Sequence, residues 1–180
     1  QTLLFSATYP KKIAGIAKRV MNKPVHIQLE SQVHEESKIE QHFYKVTSDS
    51  QRLVGLQLLL QEFKSQSAVI FCNTKQEAKD IRKDLSQSGF SALALHGDLE
   101  QKDRQENLVR FANKSVAVLV ATDVAARGLD IDSIDLVINY HISRDFEVHV
   151  PRIGRPGRAG KSGIACSLYS QKEAHKISLL

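Results

Sequence analysis

The feature that most constrains the fold is a set of short, wholly apolar runs. Val116 to Ala121 and Ala68 to Phe71 contain no polar residue at all. A strand with one wet face alternates apolar and polar residues. A continuous run of four to six apolar residues implies burial on both faces, the situation of a parallel sheet covered by helices. Between the runs lie stretches of helical period. Leu53, Leu56, Leu60 and Phe63 share one face, as do Ala78, Ile81 and Leu85, with an end near Gly89, and Leu99 to Phe111 follows the same period. Ile39 to Val46, Ala92 to Leu95, Leu136 to Tyr140 and Ile164 to Tyr169 read as further strands. Strands alternating with helices predict an α/β, doubly wound parallel sheet with helices on both faces.

The N-terminal segment has its own series. Thr2 to Phe5 is a short apolar run, a basic helical stretch carries Ile13, Ile16, Ala17 and Val20, and Val25 to Leu29 alternates like a strand. Ser31 to Lys38 is polar and aperiodic, and reads as a linker. The expected organisation is therefore residues 1–30 as the end of one domain, 31–38 as linker and 39–180 as a second domain, incomplete at its end. With no initiator Met before Gln1, the N-terminus reads as a cut end. No stretch approaches the roughly 20 consecutive apolar residues of a membrane span, and no signal peptide is expected. Cys72 and Cys166 lie inside separate apolar runs, without metal-ligand spacing, and read as buried thiols. The formal net charge of +5 suits a polyanionic partner but does not single one out.

In open α/β sheets ligands gather at the carboxyl ends of the strands. Polar clusters follow the strands here: Ser6-Ala7-Thr8, Asn73-Thr74, His96-Gly97-Asp98 and Thr122-Asp123. Each alone reads first as helix-cap chemistry; several on one rim point to a site. The segment Pro151 to Gly160 holds three arginines and three glycines. Glycine lets backbone approach a ligand closely, and the guanidinium fork matches phosphate oxygens. Arg155 and Arg158 have the character of arginine fingers on a transferring phosphoryl group. In Ala125 to Asp130, a basic residue beside Gly128 suits phosphate or a neighbouring carboxylate, and Asp130 suits a ribose hydroxyl. Gln101 and Arg104 share a helix face behind Gly97, where an RNA backbone phosphate can be received. The bland alternatives are a solvated basic loop, a structural turn and an exposed helix start. No Gly-x-x-x-x-Gly-Lys-Ser/Thr phosphate loop occurs, and no Asp-Glu pair follows a strand to hold Mg2+. The chain has finger-like arginines but no cradle for them to act on.

Taken in order, these segments resemble the DEAD-box RNA helicases over nearly the whole chain, with Leu95 to Gln101 most like the bacterial DbpA-like group. Ser6-Ala7-Thr8 is similar to the Ser-Ala-Thr motif, and Val69 to Thr74 to the fourth motif. His96-Gly97 with Gln101 and Arg104 is similar to the RNA-contacting motif that follows it. Ala121 to Asp130 resembles the fifth motif, and Arg152 to Arg158 the sixth. The resemblance implies a RecA-like fold, with 1–30 ending the first RecA-like domain and 39–180 forming most of the second. It implies that Arg155 and Arg158 reach the γ-phosphate of ATP, and that Gly128 and Asp130 lie by the nucleotide. Asn73, Gly97, Arg104 and Thr122 would line the RNA path, while Ser6, Thr8, Asp123, Arg127 and Arg152 would couple the two domains. ATP and Mg2+ would be used, with Mg2+ and the phosphate cradle supplied by the first RecA-like domain. The expected partners are RNA and that first domain, with no membrane, and the intact protein is expected to be a cytoplasmic monomer.

Two positions depart from the family pattern. Pro151 stands where the sixth motif has His, and Pro156 where it has Thr. Proline inside a helix costs about 3 kcal/mol, far less in the first turn. Pro156 also pushes Arg155 toward extended backbone. The prolines keep one other reading in view, a catalytically impaired module that binds RNA or protein. A second alternative, a DNA helicase of the same superfamily, is disfavoured by the compact Ser6-Ala7-Thr8 and Ala126-Arg127-Gly128-Leu129-Asp130 segments.

Overall fold

The computed structural model describes residues 2–5, 11–27, 39–126, 134–142, 152 and 163–177. The chain divides into two compact units at His34/Glu35.

In the first unit Lys11–Val20 forms a helix, α1, with Ala17 buried. Among the described residues of the two strand-like segments, Thr2 to Phe5 and Val25 to Ile27, none belongs to a strand, and Phe5, Val25 and Ile27 are mostly exposed. A strand is held by its neighbours, and the described residues of this unit include no sheet to receive them. Gln28 and Leu29 lie outside the described residues.

The second unit is a six-stranded sheet. Its elements are β1 (Ile39–Lys45), α2 (Asp49–Phe63), β2 (Ala68–Cys72), α3 (Lys75–Gln87), β3 (Ala92–Leu95), α4 (Gln101–Ala112), β4 (Val118–Thr122), α5 (Asp123–Ala126), β5 (Leu136–Asn139) and β6 (Gly163–Tyr169). A 3-10 turn (Gln171–Glu173) and a short helix, α6 (Ala174–Ile177), follow. The strand order is β1-β6-β5-β2-β4-β3 and every pairing is parallel. Three interior strands are buried throughout: all five residues of β2, all five of β4 and all four of β5. The polar β1 takes an edge.

The period of two along the strands splits the core into two layers. Ala68, Ile70 and Cys72 pack with Val118, Val120 and Ile138 beneath Leu56, Leu60, Ala78, Ile81 and Leu85 of α2 and α3. Val69 and Phe71 face the other way, with Leu119, Ala121 and Val137, against Phe111 of α4 and Ala125 and Ala126 of α5. This is the doubly wound arrangement predicted from the sequence. The end of α3 is fixed locally. Gly89 adopts φ +85°, Phe90 N–H donates to the Leu85 carbonyl at 2.9 Å, and Gly89 N–H donates to Ser86 at 3.2 Å. These are the paired bonds of a Schellman cap, which needs the left-handed conformation that glycine adopts freely. The strand expected at Val116 to Ala121 lies two residues later at its start and one later at its end.

Candidate functional site on the carboxyl rim

Because all six strands are parallel, their carboxyl ends form one rim. Across it, in sheet order, stand Tyr140 and His141 beyond β5, Asn73 and Thr74 beyond β2, Thr122 and Asp123 at the end of β4, and His96 and Gly97 beyond β3. The register pairs Cys72 with Thr122 and Leu95 with Ala121, so these clusters are neighbours in space.

Arg152 is the centre of the site. It is 2% exposed. Its Nε and Nη2 donate to Asp123 Oδ1 and Oδ2 at 2.5 and 2.6 Å. Its Nη1 donates to Asn139 Oδ1 and to the His141 carbonyl, both at 3.2 Å. The guanidinium carbon lies 5.0 Å from the centroid of the Phe71 ring. Asn139 in turn donates to Ser167 Oγ at 3.0 Å. One planar fork therefore ties the ends of β4 and β5 together over β2, in the bidentate geometry only arginine supplies.

Beside it lies a second polar network. Arg52 in α2 is also 2% exposed. His141 Nε2 is 2.7 Å from Glu77 Oε1, and its Nδ1 is 3.5 Å from Glu173 Oε1. Asn73 N–H donates to Glu77 Oε2 at 2.9 Å, while Thr74 Oγ1 caps α3 by accepting from Glu77 N–H. Burial pushes the Glu77 carboxyl up, but the bonds from His141 and Asn73 outweigh it and hold the group below its ordinary value. Cys72, beneath this cluster, is pushed up to about 12 by burial and then by Glu77, so it is an inert thiol.

The other part of the rim is open. Asn73, Gly97 and Asp98 are exposed. Asp98 bonds Lys75 and Lys79 at 2.8 and 2.9 Å, and these bonds hold its carboxyl at about 2. A Cβ placed on Gly97 meets nothing within 4 Å. Arg104 is turned toward the protein, its Nη2 donating to the Ala125 carbonyl at 2.7 Å and linking α4 to α5.

Of the residues singled out in the sequence, the structure brings Asn73, Gly97, Arg104, Thr122, Asp123 and Arg152 to this rim and its immediate helices. Ser6, Thr8, Arg127, Gly128, Asp130, Arg155 and Arg158 lie outside the described residues, as do Pro151, Pro156 and, of the segment Phe146 to Arg152 that reads as helical in the sequence, all but Arg152. Sequence reasoning missed Arg52, Glu77, Asn139, His141 and Glu173. Arg52 had a signal: it lies four residues before Leu56 on the apolar face of α2, where a charge is out of place. Asn139 had one too, as the polar residue inside the run Leu136 to Tyr140.

A six-stranded parallel sheet of this order, with helices on both faces, is a RecA-like fold. Residues 50–160 match the family described as helicase conserved C-terminal domain. The chain is 51% identical, over all 180 residues, to the ATP-dependent RNA helicase DbpA of Escherichia coli, and covers 39% of it. Among solved structures it is similar to the E. coli DEAD-box protein SrmB bound to regulator of ribonuclease activity A, with a TM-score of 0.75 and 31% identity over 78% of this chain and 83% of that one. It is also similar to Saccharomyces cerevisiae Dbp5 bound to RNA and ADP BeF3, with a TM-score of 0.82 and 27% identity over 97% of this chain and 46% of that one. The chain belongs to the helicase C-terminal domain family, in its DEAD-box branch. It spans about two fifths of the length of the curated relative DbpA. No helix among the described residues is long and apolar enough to cross a membrane.

Proposed function

We propose that this chain is the second motor domain of an ATP-dependent RNA helicase, coupling ATP hydrolysis to local separation of RNA duplexes. The observation that carries the reading is the Asp123–Arg152 fork. It fastens the start of the Arg152 to Arg158 segment to the end of β4, where Thr122 stands among the rim residues. Nucleotide-facing and RNA-facing residues would then share one rigid rim. Displacement at one is felt at the other.

In this reading Arg155 and Arg158 stabilise charge on the γ-phosphate of ATP held by a first RecA-like domain, which also supplies the phosphate loop and the Mg2+ site. Mg2+ would neutralise phosphate charge there. Asp130 would hold the ribose and Gly128 lie by the nucleotide. Asn73, Gly97 and Thr122 would meet the RNA sugar-phosphate backbone, and Arg104 would orient that surface through Ala125. Ser6, Thr8 and Arg127 would join Asp123 and Arg152 in coupling the domains. Backbone recognition entails little sequence preference and strong salt dependence. The chain alone is expected not to hydrolyse ATP.

Pro151 and Pro156 favour a second reading, an impaired motor that still binds. The test is RNA-stimulated ATP hydrolysis by a fusion of a competent DEAD-box first domain to this chain, compared with Pro151→His/Pro156→Thr. The expected outcome is low turnover that the double substitution raises by about 10³-fold or more, the scale of an arginine finger. Equal turnover in both would show the prolines to be harmless. Turnover in neither, with a native control active, would leave the binding module.

A further inference from the structure

Two buried guanidiniums grip successive residues of one short segment. Arg52 Nη1 donates to the carbonyls of Tyr140 and Leu168 at 2.5 and 2.9 Å, and its Nη2 to Glu173 Oε2 at 2.9 Å. Its guanidinium carbon is 5.7 Å from the Tyr140 ring centroid. Arg152 takes the neighbouring groups, the His141 carbonyl and the Asn139 side chain. The two grips come from opposite faces of the sheet. Tyr140 packs in the layer under α2 and α3, whereas Arg152 stacks on Phe71 of the other layer. The imidazole of His141 is held between Glu77 of α3 and Glu173 of the 3-10 turn.

We propose that Arg52 is a positioning residue for the motor: together with the Glu77–His141–Glu173 clamp it fixes the backbone of residues 140 and 141, and thereby the seat of Arg152. The segment that begins at Arg152 carries both arginines assigned above to the γ-phosphate, so the inference rests on the proposed function for its catalytic consequence. Its geometric part stands without it. A buried arginine is a costly way to fill an apolar helix face, since an aliphatic side chain of similar volume does so at no desolvation cost. What the guanidinium adds is direction. It bonds three acceptors from three chain segments, Tyr140, Leu168 and Glu173, so none moves without the others. Arg152 then meets a carbonyl already aimed. The same link joins the strand end of β6 to the fork on β4, across four of the six strands of the rim.

The direct test is nuclear magnetic resonance on this chain. The Nε–H of Arg152, buried against Asp123, gives a resonance apart from those of exposed arginines. In Arg52→Met it should shift, and its exchange with solvent should quicken by roughly tenfold or more, the scale of a bond weakened by about 1.4 kcal/mol. Arg52→Lys, which can still reach one acceptor, should restore part of the protection. If Arg52→Met unfolds the chain, Glu77→Gln and His141→Gln serve instead. Both side chains are only partly buried, and each loosens the clamp without opening the core. An Arg152 signal unchanged in every folded variant overturns the proposal.

The second arm is turnover in the first-domain fusion carrying Pro151→His/Pro156→Thr. Arg52→Met should lower kcat by roughly ten- to a hundredfold, as for a displaced catalytic group. KM for ATP should stay within about twofold, because binding contacts made equally in ground and transition states are untouched. A loss confined to KM, or none, sinks the catalytic consequence. If the fusion with Arg52 intact is itself inactive, the functional reading fails, and the resonance of Arg152 still decides the geometric one.

Discussion

The rim has a closed part and an open part, and they use polar residues in opposite ways. Beyond β5 and β6, Arg52, Asn139, Arg152 and Ser167 are buried and their polar groups are largely satisfied by one another. Beyond β2 and β3, Asn73, Gly97 and Asp98 face solvent, and the ion pairs of Asp98 with Lys75 and Lys79 are exposed. Exposed pairs of that kind are screened by solvent and hold little energy. The closed part therefore holds a geometry, and the open part leaves its polar groups to solvent. Asp123 belongs to both, since it follows Thr122 and carries the fork of Arg152.

The sharpest way to break this contrast is Arg152→Met. It leaves Asp123, Asn139 and the His141 carbonyl without their donor. Removing one partner of a buried ion pair costs about 3–5 kcal/mol. Urea denaturation of this chain should show a loss on that scale. A loss under about 1 kcal/mol would place the fork among ordinary surface pairs and dissolve the distinction.

Acid should act on the closed part next. Burial pushes the Glu173 carboxyl up, but the Ser170 N–H and hydroxyl and the Arg52 guanidinium outweigh it and hold it at about 2, against an ordinary 4.5. Because the folded value is depressed, this stabilisation is complete above the unfolded value and drains away as pH falls from about 4.5 toward 2. Glu77 is depressed too and works in the same direction. Glu173→Gln should lower stability at neutral pH by on the order of 2 kcal/mol and flatten the acid limb in that window. A denaturation series between pH 2 and about 7 reads both effects. An unchanged acid limb would mean that Glu173 does not hold Arg52.

The fold was legible where burial alone decides the residue type. The runs in β2 and β4 read as strands buried on both faces and are so, and Gly89 marked a helix end by its conformational freedom. The strand-like segments at Thr2 to Phe5 and Val25 to Leu29 were less legible, because apolar content shows what a segment can become and not what it pairs with; their described residues form no strand. The place of Asn73 and Gly97 on the open rim was legible as well, since they lie just beyond β2 and β3. The closed part was not. Arg52, Glu77 and Glu173 lie on different elements, and their meeting depends on strand order, which puts β6 between β1 and β5. Glu77 was further hidden by Thr74, since a Thr followed three residues later by Glu reads as a capping box.

The smallest effect on stability should come from the open part, and there the functional effect should exceed the structural one. Gly97 is exposed, its φ is not left-handed, and a methyl group there touches nothing. Gly97→Ala should leave stability within about 0.5 kcal/mol. If RNA backbone passes over this turn, the added methyl holds it away, and affinity should fall by roughly tenfold, or about 1.4 kcal/mol. No charge is removed, so the slope of log affinity against log salt should not change. Fluorescence anisotropy of a labelled single-stranded RNA, measured at several salt concentrations with the first-domain fusion, gives both quantities. Weaker binding at constant slope locates the RNA path at Gly97. Unaltered affinity in a stable variant would move that path off β3 and leave the open face for another partner.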